Sequence, residues 1–246
     1  MKKLQDKVAL VTGAAKRIGR GIAFALAEEG AHVAITYRDS GDEARQTVRE
    51  LEDFGIRAAA VHANLRQPES IQSAVDQNAA DFGRPDFPAI DILVNNAGRF
   101  ETEVLEKISV EQWDAMFETN TRAPFLVAQA AHPYLKAAHG RIINIGSLGG
   151  IHPWPTHGHY CISKAALHML TQVMSKAFAP EISVNCVAPG MIVNGEASAE
   201  FEHFARKTPM RRNGTTQEVA AAVLFFATGP HFITGQLLGV DGGLGL

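Results

Sequence analysis

Tyr160 and Lys164 stand four residues apart in a stretch whose pattern predicts a helix over 160–178, so their side chains share one helical face. A lysine ammonium beside a phenol favours the phenolate and lowers a pKa that is ordinarily about 10, which suits the phenol to acid–base work near neutral pH. Ser147 lies thirteen residues upstream, just past a predicted strand over 141–145, and can reach the same point. Taken alone, these residues also describe a surface Tyr–Lys pair and a turn serine, so the surrounding elements have to decide. His152, His157 and His159 precede the tyrosine in a Pro/Gly-rich loop. With no acidic partner they read as lining rather than as a metal site, and no metal is expected. Cys161 is assigned no role.

The element that organises the chain is Val8-Ala9-Leu10-Val11-Thr12-Gly13-Ala14-Ala15-Lys16-Arg17-Ile18-Gly19-Arg20-Gly21. Its four leading apolar residues, with no polar alternation, predict a buried strand. Ile18, Ile22, Ala25 and Leu26 then form one apolar helical stripe, stopped at Gly30. Strand, glycine turn and helix leave the unpaired N–H groups of the helix start facing whatever lies above the strand, and a pyrophosphate suits them. The pattern is T-G-x-x-x-R-x-G-x-G, with Arg17 where a further glycine is expected and with Gly19 and Gly21 expected to keep the backbone accessible.

Strands are predicted over 32–37, 58–62, 90–94, 141–145, 182–187 and 237–240, alternating with helices over 42–54, 68–82, 160–178 and 218–227. Arg84-Pro85-Asp86-Phe87-Pro88 reads as a loop. A long helical region opens at Ser109 with Gln112 as a capping box, and Pro124 and Pro133 are expected to bend or break it before Gly140. The alternation predicts an α/β fold: one doubly wound parallel sheet of about seven strands with helices on both faces, spanning 1–246 without a second domain. Ligands of such sheets bind outside the carboxyl ends of the strands. Here those ends carry Thr12-Gly13, Tyr37-Arg38, Asn64-Leu65, Asn96-Ala97-Gly98, Gly146-Ser147 and Pro189-Gly190.

Of the 246 residues, 46% are hydrophobic and 20% charged, enough for a sizeable core. A net charge of −3 without a basic run argues against nucleic acid. Two cysteines, Cys161 and Cys186, cannot build a disulfide scaffold, so a reducing, cytoplasmic setting is expected. Met1-Lys2-Lys3 is followed by Leu4-Gln5-Asp6-Lys7 rather than an apolar signal core, and no run is long enough for a membrane span.

Thr12-Gly13 through Gly21, Asn95-Asn96-Ala97-Gly98, Asn120, Ser147, Tyr160 with Lys164, Pro189-Gly190 and Asp241-Gly242-Gly243 occur in the order of the short-chain dehydrogenase/reductases, which the chain resembles over essentially its whole length. The resemblance implies a Rossmann-type domain that binds a nicotinamide dinucleotide and moves a hydride to or from a carbonyl or imine carbon. It implies that Tyr160 protonates the developing alkoxide while Ser147 hydrogen-bonds the same oxygen. Lys164 would hold the nicotinamide ribose and tune Tyr160, and Asn120 would support a water that relays protons to Lys164. It also implies a homotetramer joined through the helices at 109–138 and 160–178, and a substrate lid over 191–212.

The expected cofactor contacts are Gly13, Lys16, Arg17, Ile18, Gly19, Tyr37, Arg38, Asn64, Leu65, Asn96, Ala97, Gly98, Tyr160, Lys164, Pro189, Gly190 and Ile192. Tyr37 stands at the strand end where an NAD-selective site places an acid; with Arg38 beside it and Lys16 in the turn, a 2′-phosphate and NADP(H) are expected. Asp39 supports NAD instead if the strand runs longer. The catalytic serine resembles 3-oxoacyl-acyl-carrier-protein reductases, whereas Gly13-Ala14-Ala15-Lys16-Arg17, Tyr37-Arg38, Trp154-Pro155 and Ala179-Pro180-Glu181-Ile182 resemble pteridine reductases, which typically carry an aspartate in place of Ser147. The expected activity is NADPH-dependent reduction of a carbonyl, that of a 3-oxoacyl thioester or a generic ketone, by hydride transfer with Tyr160 as proton donor. The alternatives are a pteridine substrate and, in another class, a non-enzymatic NADP(H)-binding regulator.

Overall fold

The computed structural model describes residues 2–83, 90–193 and 199–246. Strands β1 (Val8–Val11), β2 (His32–Tyr37), β3 (Ala58–His62), β4 (Ile92–Asn95), β5 (Arg141–Ile145), β6 (Ser183–Pro189) and β9 (Leu237–Val240) form one sheet in the order β3-β2-β1-β4-β5-β6-β9. Every pairing in it is parallel. The chain winds outward from β1 to β3, then restarts at β4 and winds the other way. The switch therefore falls between β1 and β4, where a ligand crevice opens in sheets of this kind.

The side chains of β1 divide between two cores, as strand alternation requires. Ala9 and Val11 pack on one face with Ile22 and Leu26 of α1 (Arg17–Glu28), Leu51 of α2 (Gly41–Glu52) and Val223 of α8 (Thr216–Thr228). Val8 and Leu10 pack on the other with Ile71 of α3 (Pro68–Phe82), Leu135 of α5 (Ala123–Ala138) and Met174 of α6 (Gly158–Ala177). Burying a Leu or Ile side chain of this kind stabilises by roughly 1.5–3 kcal/mol.

Several expected boundaries shift. Strand β4 starts later, at Ile92, and β6 runs on to Pro189, which pairs with Val240 of β9. The predicted capping box is present: Ser109 and Gln112 close the start of α4 (Val110–Phe117). The break after α4 is not at Pro133 but at a π-helical turn, Glu118–Arg122. Pro124 sits in the first turn of α5, where no intrahelical N–H is needed, and Pro133 lies inside that helix. Pro133 and Gln129 are both exposed, so the carbonyl that loses its partner faces water.

Strand β7 (Ile192–Val193) and helix α7 (Ala199–Lys207) lie in the segment expected as a lid, whose residues 194–198 lie outside the described residues, and β7 pairs in parallel with β8 (Gly214–Thr215) just beyond it. The loop expected over 84–88 does too. Among the described residues, no helix is long and apolar enough to cross a membrane.

Candidate active site

The glycine turn closes the switch point. Gly13 has φ +62°, and a Cβ there would come within 2.9 Å of the Ala97 backbone. Asn96 Nδ2 donates to the carbonyls of Thr12 (2.9 Å) and Gly13 (3.0 Å), and Thr12 Oγ1 accepts from the N–H groups of Asn96 (3.0 Å) and Ala97 (3.1 Å). The ends of β1 and β4 are thus laced together, so Asn96 is a tie within the protein. Gly19 is buried, with no room for a Cβ between Asn96, Ala14 and Gly13, which corrects the expectation of an accessible backbone there. Arg17 opens α1 at φ +56°, a left-handed conformation that glycine adopts without penalty. Lys16 caps the helix without a side-chain bond, and no acidic residue stands in the first turn. Among the described residues, the N–H groups at the start of α1 therefore meet no side-chain acceptor, whereas α4 and α8 both carry capping boxes.

Beyond β2, Arg38 Nε pairs with Asp39 at 2.6 Å and Lys16 Nζ with Glu43 at 3.6 Å, all four exposed. Tyr37 sets its ring edge-on to His62. Asn64 Oδ1 accepts from Arg66 N and shapes the turn after β3, against which Leu65 is half-buried. Gly190 lies against Asp241, and Ile192 packs on the core beneath α8.

The chemistry-bearing side chains meet beside this crevice. Ser147 follows Gly146 past the end of β5 and accepts from Gly149 N at 3.0 Å. Lys164 is 4% exposed, and its Nζ donates to the Ile145 carbonyl at 2.8 Å. Asn120 is fully buried in the π-turn. Its Oδ1 accepts from Arg99 N at 2.7 Å, and its Nδ2 donates to Arg99 O at 2.9 Å and Ser163 Oγ at 3.0 Å. A Cβ on Gly98 would lie 3.5 Å from Asn120 Oδ1 and 3.6 Å from Lys164 Nζ, so both border one space. Tyr160 is flanked by Trp154, near-parallel at 6.1 Å, and by Phe100, edge-on at 4.8 Å; Phe100 in turn stacks on His157.

Burial raises the Tyr160 phenol above its ordinary pKa, and the hydrogen bond to the Ser147 hydroxyl pulls it back. The expected lowering by Lys164 is therefore overturned. Lys164 spends its hydrogen bond on the backbone, and desolvation of the ring dominates. Burial acts on Lys164 too, taking its ammonium down to about 8. A phenol, a serine hydroxyl that acts on it and a buried amine on the same helix are the groups needed to hydrogen-bond a polarised oxygen and hand it a proton.

Sequence patterns missed Ser163, Phe100 and His168. Of these only His168 had a signal, since it continues the Tyr160–Lys164 face by one more turn. His152 and His157 stand in the loop before α6, but His159 lies inside α6, fully buried, with its Nε2 3.7 Å from Glu101, which corrects the expectation of a loop histidine without an acidic partner; no group of three or more metal-binding side chains occurs among the described residues.

Residues 13–245 match the family described as enoyl-(acyl carrier protein) reductase. A 3-oxoacyl-[acyl-carrier-protein] reductase of Staphylococcus epidermidis is 34% identical, covering 97% of this chain and 99% of that protein. The chain is a short-chain dehydrogenase/reductase. A Burkholderia cenocepacia short-chain dehydrogenase solved in complex with NADP superposes with TM-score 0.92 at 37% identity, covering 99% of this chain and all (100%) of that one. A metagenomic blue fluorescent protein in complex with NADPH gives TM-score 0.92 at 34% identity, covering 99% and 100%. The chain is accordingly an oxidoreductase of the short-chain family.

Proposed function

We propose that this short-chain dehydrogenase/reductase reduces a carbonyl group with NADPH, with Tyr160 as the proton donor. The observation that carries the reading is that Tyr160 and buried Lys164 share one face of α6, with the Ser147 hydroxyl acting on the phenol and Lys164 Nζ bordering Gly98, just past the end of β4 at the β1–β4 switch. The residues fit a dinucleotide. The uncapped start of α1 offers N–H groups to phosphate, and Gly13 lets the backbone approach it. NADPH, when bound, supplies the hydride. Ser147 holds the substrate oxygen, Tyr160 gives it a proton, and Lys164 holds the ribose and replenishes the phenol from a position bordered by Asn120. Arg38 and Lys16 meet the 2′-phosphate, in keeping with the NADP and NADPH found on the two structural relatives.

The name of the Staphylococcus relative, a 3-oxoacyl-[acyl-carrier-protein] reductase, supports a 3-oxoacyl thioester as the substrate, with a generic ketone in the same reading. The aromatic walls Trp154 and Phe100, and an exposed Arg17, favour a flat heteroaromatic such as a pteridine as the second reading. A third reading, a non-enzymatic NADP(H)-binding regulator, has no use for the intact Ser147, Tyr160 and Lys164 set. We also propose a cytoplasmic homotetramer whose segment 191–212 covers the substrate. Ile162, Met169 and Val173 form an exposed stripe on α6, near exposed Val110 and Phe125, and Phe225, Leu237 and Leu238 form a second apolar edge. Two such faces suit two kinds of subunit contact.

NADPH oxidation with ketones, acetoacetyl thioesters and dihydropteridines separates these readings. With the best substrate, Tyr160→Phe should lose roughly 10²–10⁴-fold in kcat while keeping NADPH binding. Turnover close to wild type would remove Tyr160 from the mechanism.

A further inference from the structure

Tyr160, Lys164 and His168 occupy one face of α6, and His168 has no part in the chemistry proposed above. Its imidazole is 9% exposed and sits between the two glycines that bracket Ser147. A Cβ on Gly146 would come within 2.3 Å of His168 Nε2, and one on Gly150 within 2.5 Å of Cε1, so the ring fills the space that both glycines leave open. Nε2 accepts the backbone N–H of Ser147 at 3.3 Å. The Gly150 backbone also acts on the ring, raising its pKa as an acceptor facing the imidazole does. Gly150 N already donates to Ser147 O at 3.0 Å, so the group left for the imidazole is the Gly150 carbonyl.

We propose that His168 is a positioning residue for Ser147: neutral imidazole, accepting at Nε2 and donating at Nδ1, pins the 146–150 turn at both ends and thereby aims the serine hydroxyl. The inference rests on the reading of Ser147 as the group that holds the substrate oxygen. Two features support it. Ser147 Oγ is committed to Gly149 N at 3.0 Å inside the same turn, so moving the turn moves the hydroxyl. Burial and the neighbouring Lys164 ammonium also take His168 down to about 4, which keeps Nε2 an acceptor throughout the neutral range. Besides Lys164, the titratable groups that face this turn are Tyr160, on Gly149 and Ser147, and Cys186, whose Sγ lies 2.7 Å from the same missing Gly146 Cβ; burial holds that thiol protonated, at about 12.

A glutamine at 168 can still accept from Ser147 and donate to Gly150, whereas a leucine of similar size can do neither. His168→Leu is expected to lower kcat tenfold to a hundredfold, the order that a small misplacement of a reacting group costs, with the NADPH Kd unchanged. His168→Gln should recover most of the loss. The deciding measurement is the cycle with Ser147→Ala: in that background His168→Leu should cost less than about threefold, because there is no hydroxyl left to aim. If the leucine variant fails to fold, His168→Asn, whose amide is too short to span both groups, takes its place in the cycle.

An undiminished kcat in His168→Leu, or a loss that multiplies in full with that of Ser147→Ala, overturns the proposal. A Ser147→Ala enzyme with wild-type turnover would instead overturn the reading of Ser147 on which the proposal stands.

Discussion

Arg17 carries an unusual combination: a left-handed backbone, an exposed side chain, and a place at the start of α1 beside the crevice. A non-glycine residue in that conformation costs roughly 1–2 kcal/mol, so a side chain retained there calls for a use. A planar five-donor cation suits a flat or anionic substrate, and Lys16 is the cation proposed for the phosphates. Arg17→Gly should therefore raise KM for the preferred substrate, leave the NADPH Kd within about twofold, and raise stability by about 1 kcal/mol as the strain is relieved. Steady-state kinetics with a fluorescence titration of NADPH checks it. A large loss of NADPH affinity with KM unmoved would place Arg17 on the cofactor instead. The residues that could be read from the chain, Tyr160 with Lys164, were legible because a four-residue spacing is itself a geometric statement. Ser163 and Phe100 were not, because one serine or phenylalanine carries no spacing. The direction of the Tyr160 shift was misread for a related reason: burial belongs to the folded packing, and it outweighs a neighbour inferred from periodicity.

Strand and helix alternation was legible because apolar strands buried on both faces and glycine stops follow directly from parallel-sheet geometry. The π-turn at Glu118–Arg122 was hidden, since nothing in the hydrophobic period marks an added residue in a helical turn. Cofactor selectivity belongs to this scale, because it depends on where β2 stops. The strand ends at Tyr37, leaving Arg38 and Asp39 both beyond it and paired to each other. The contest between NADP and NAD is thus between two side chains of one ion pair. A charge-assisted contact to the 2′-phosphate contributes about 1.5–3 kcal/mol, so Arg38→Ala should weaken NADPH roughly tenfold to a hundredfold and leave NADH almost unchanged. Asp39→Ala should move the other way, since it frees the guanidinium and removes a like charge from the phosphate. A wild-type enzyme that prefers NADH, or an Arg38→Ala enzyme with undiminished NADPH affinity, would assign the site to Asp39.

At the scale of the whole molecule, the site is a cost to the fold that holds it. Lys164 buries its ammonium with one backbone partner, and Cys186, the thiol whose negative charge would favour that ammonium, stays protonated up to about 12. Holding Lys164 near 8 against an ordinary 10.5 corresponds to an order of 3 kcal/mol of destabilisation at neutral pH. The sign follows from proton counting. Between about 8 and 10.5 the unfolded chain holds the proton that the folded chain has released, so this group's contribution makes stability rise with pH across that window. Below about 8 the full cost is present. Lys164→Met keeps an unbranched side chain one atom shorter and removes the charge, so it should abolish turnover and weaken NADPH binding, yet melt several degrees above the wild type at pH 7, at about 2–4 °C per kcal/mol for a chain of this size. The margin over the wild type should shrink as the pH rises toward 10.5, and comparing the two proteins at each pH cancels the groups they share. Melting curves at fixed protein concentration, at pH 7 and pH 10, decide it. A methionine variant less stable than the wild type at pH 7 would show that the bond to Ile145 outweighs the desolvation, and Lys164 would then belong to the structural frame as much as to the chemistry.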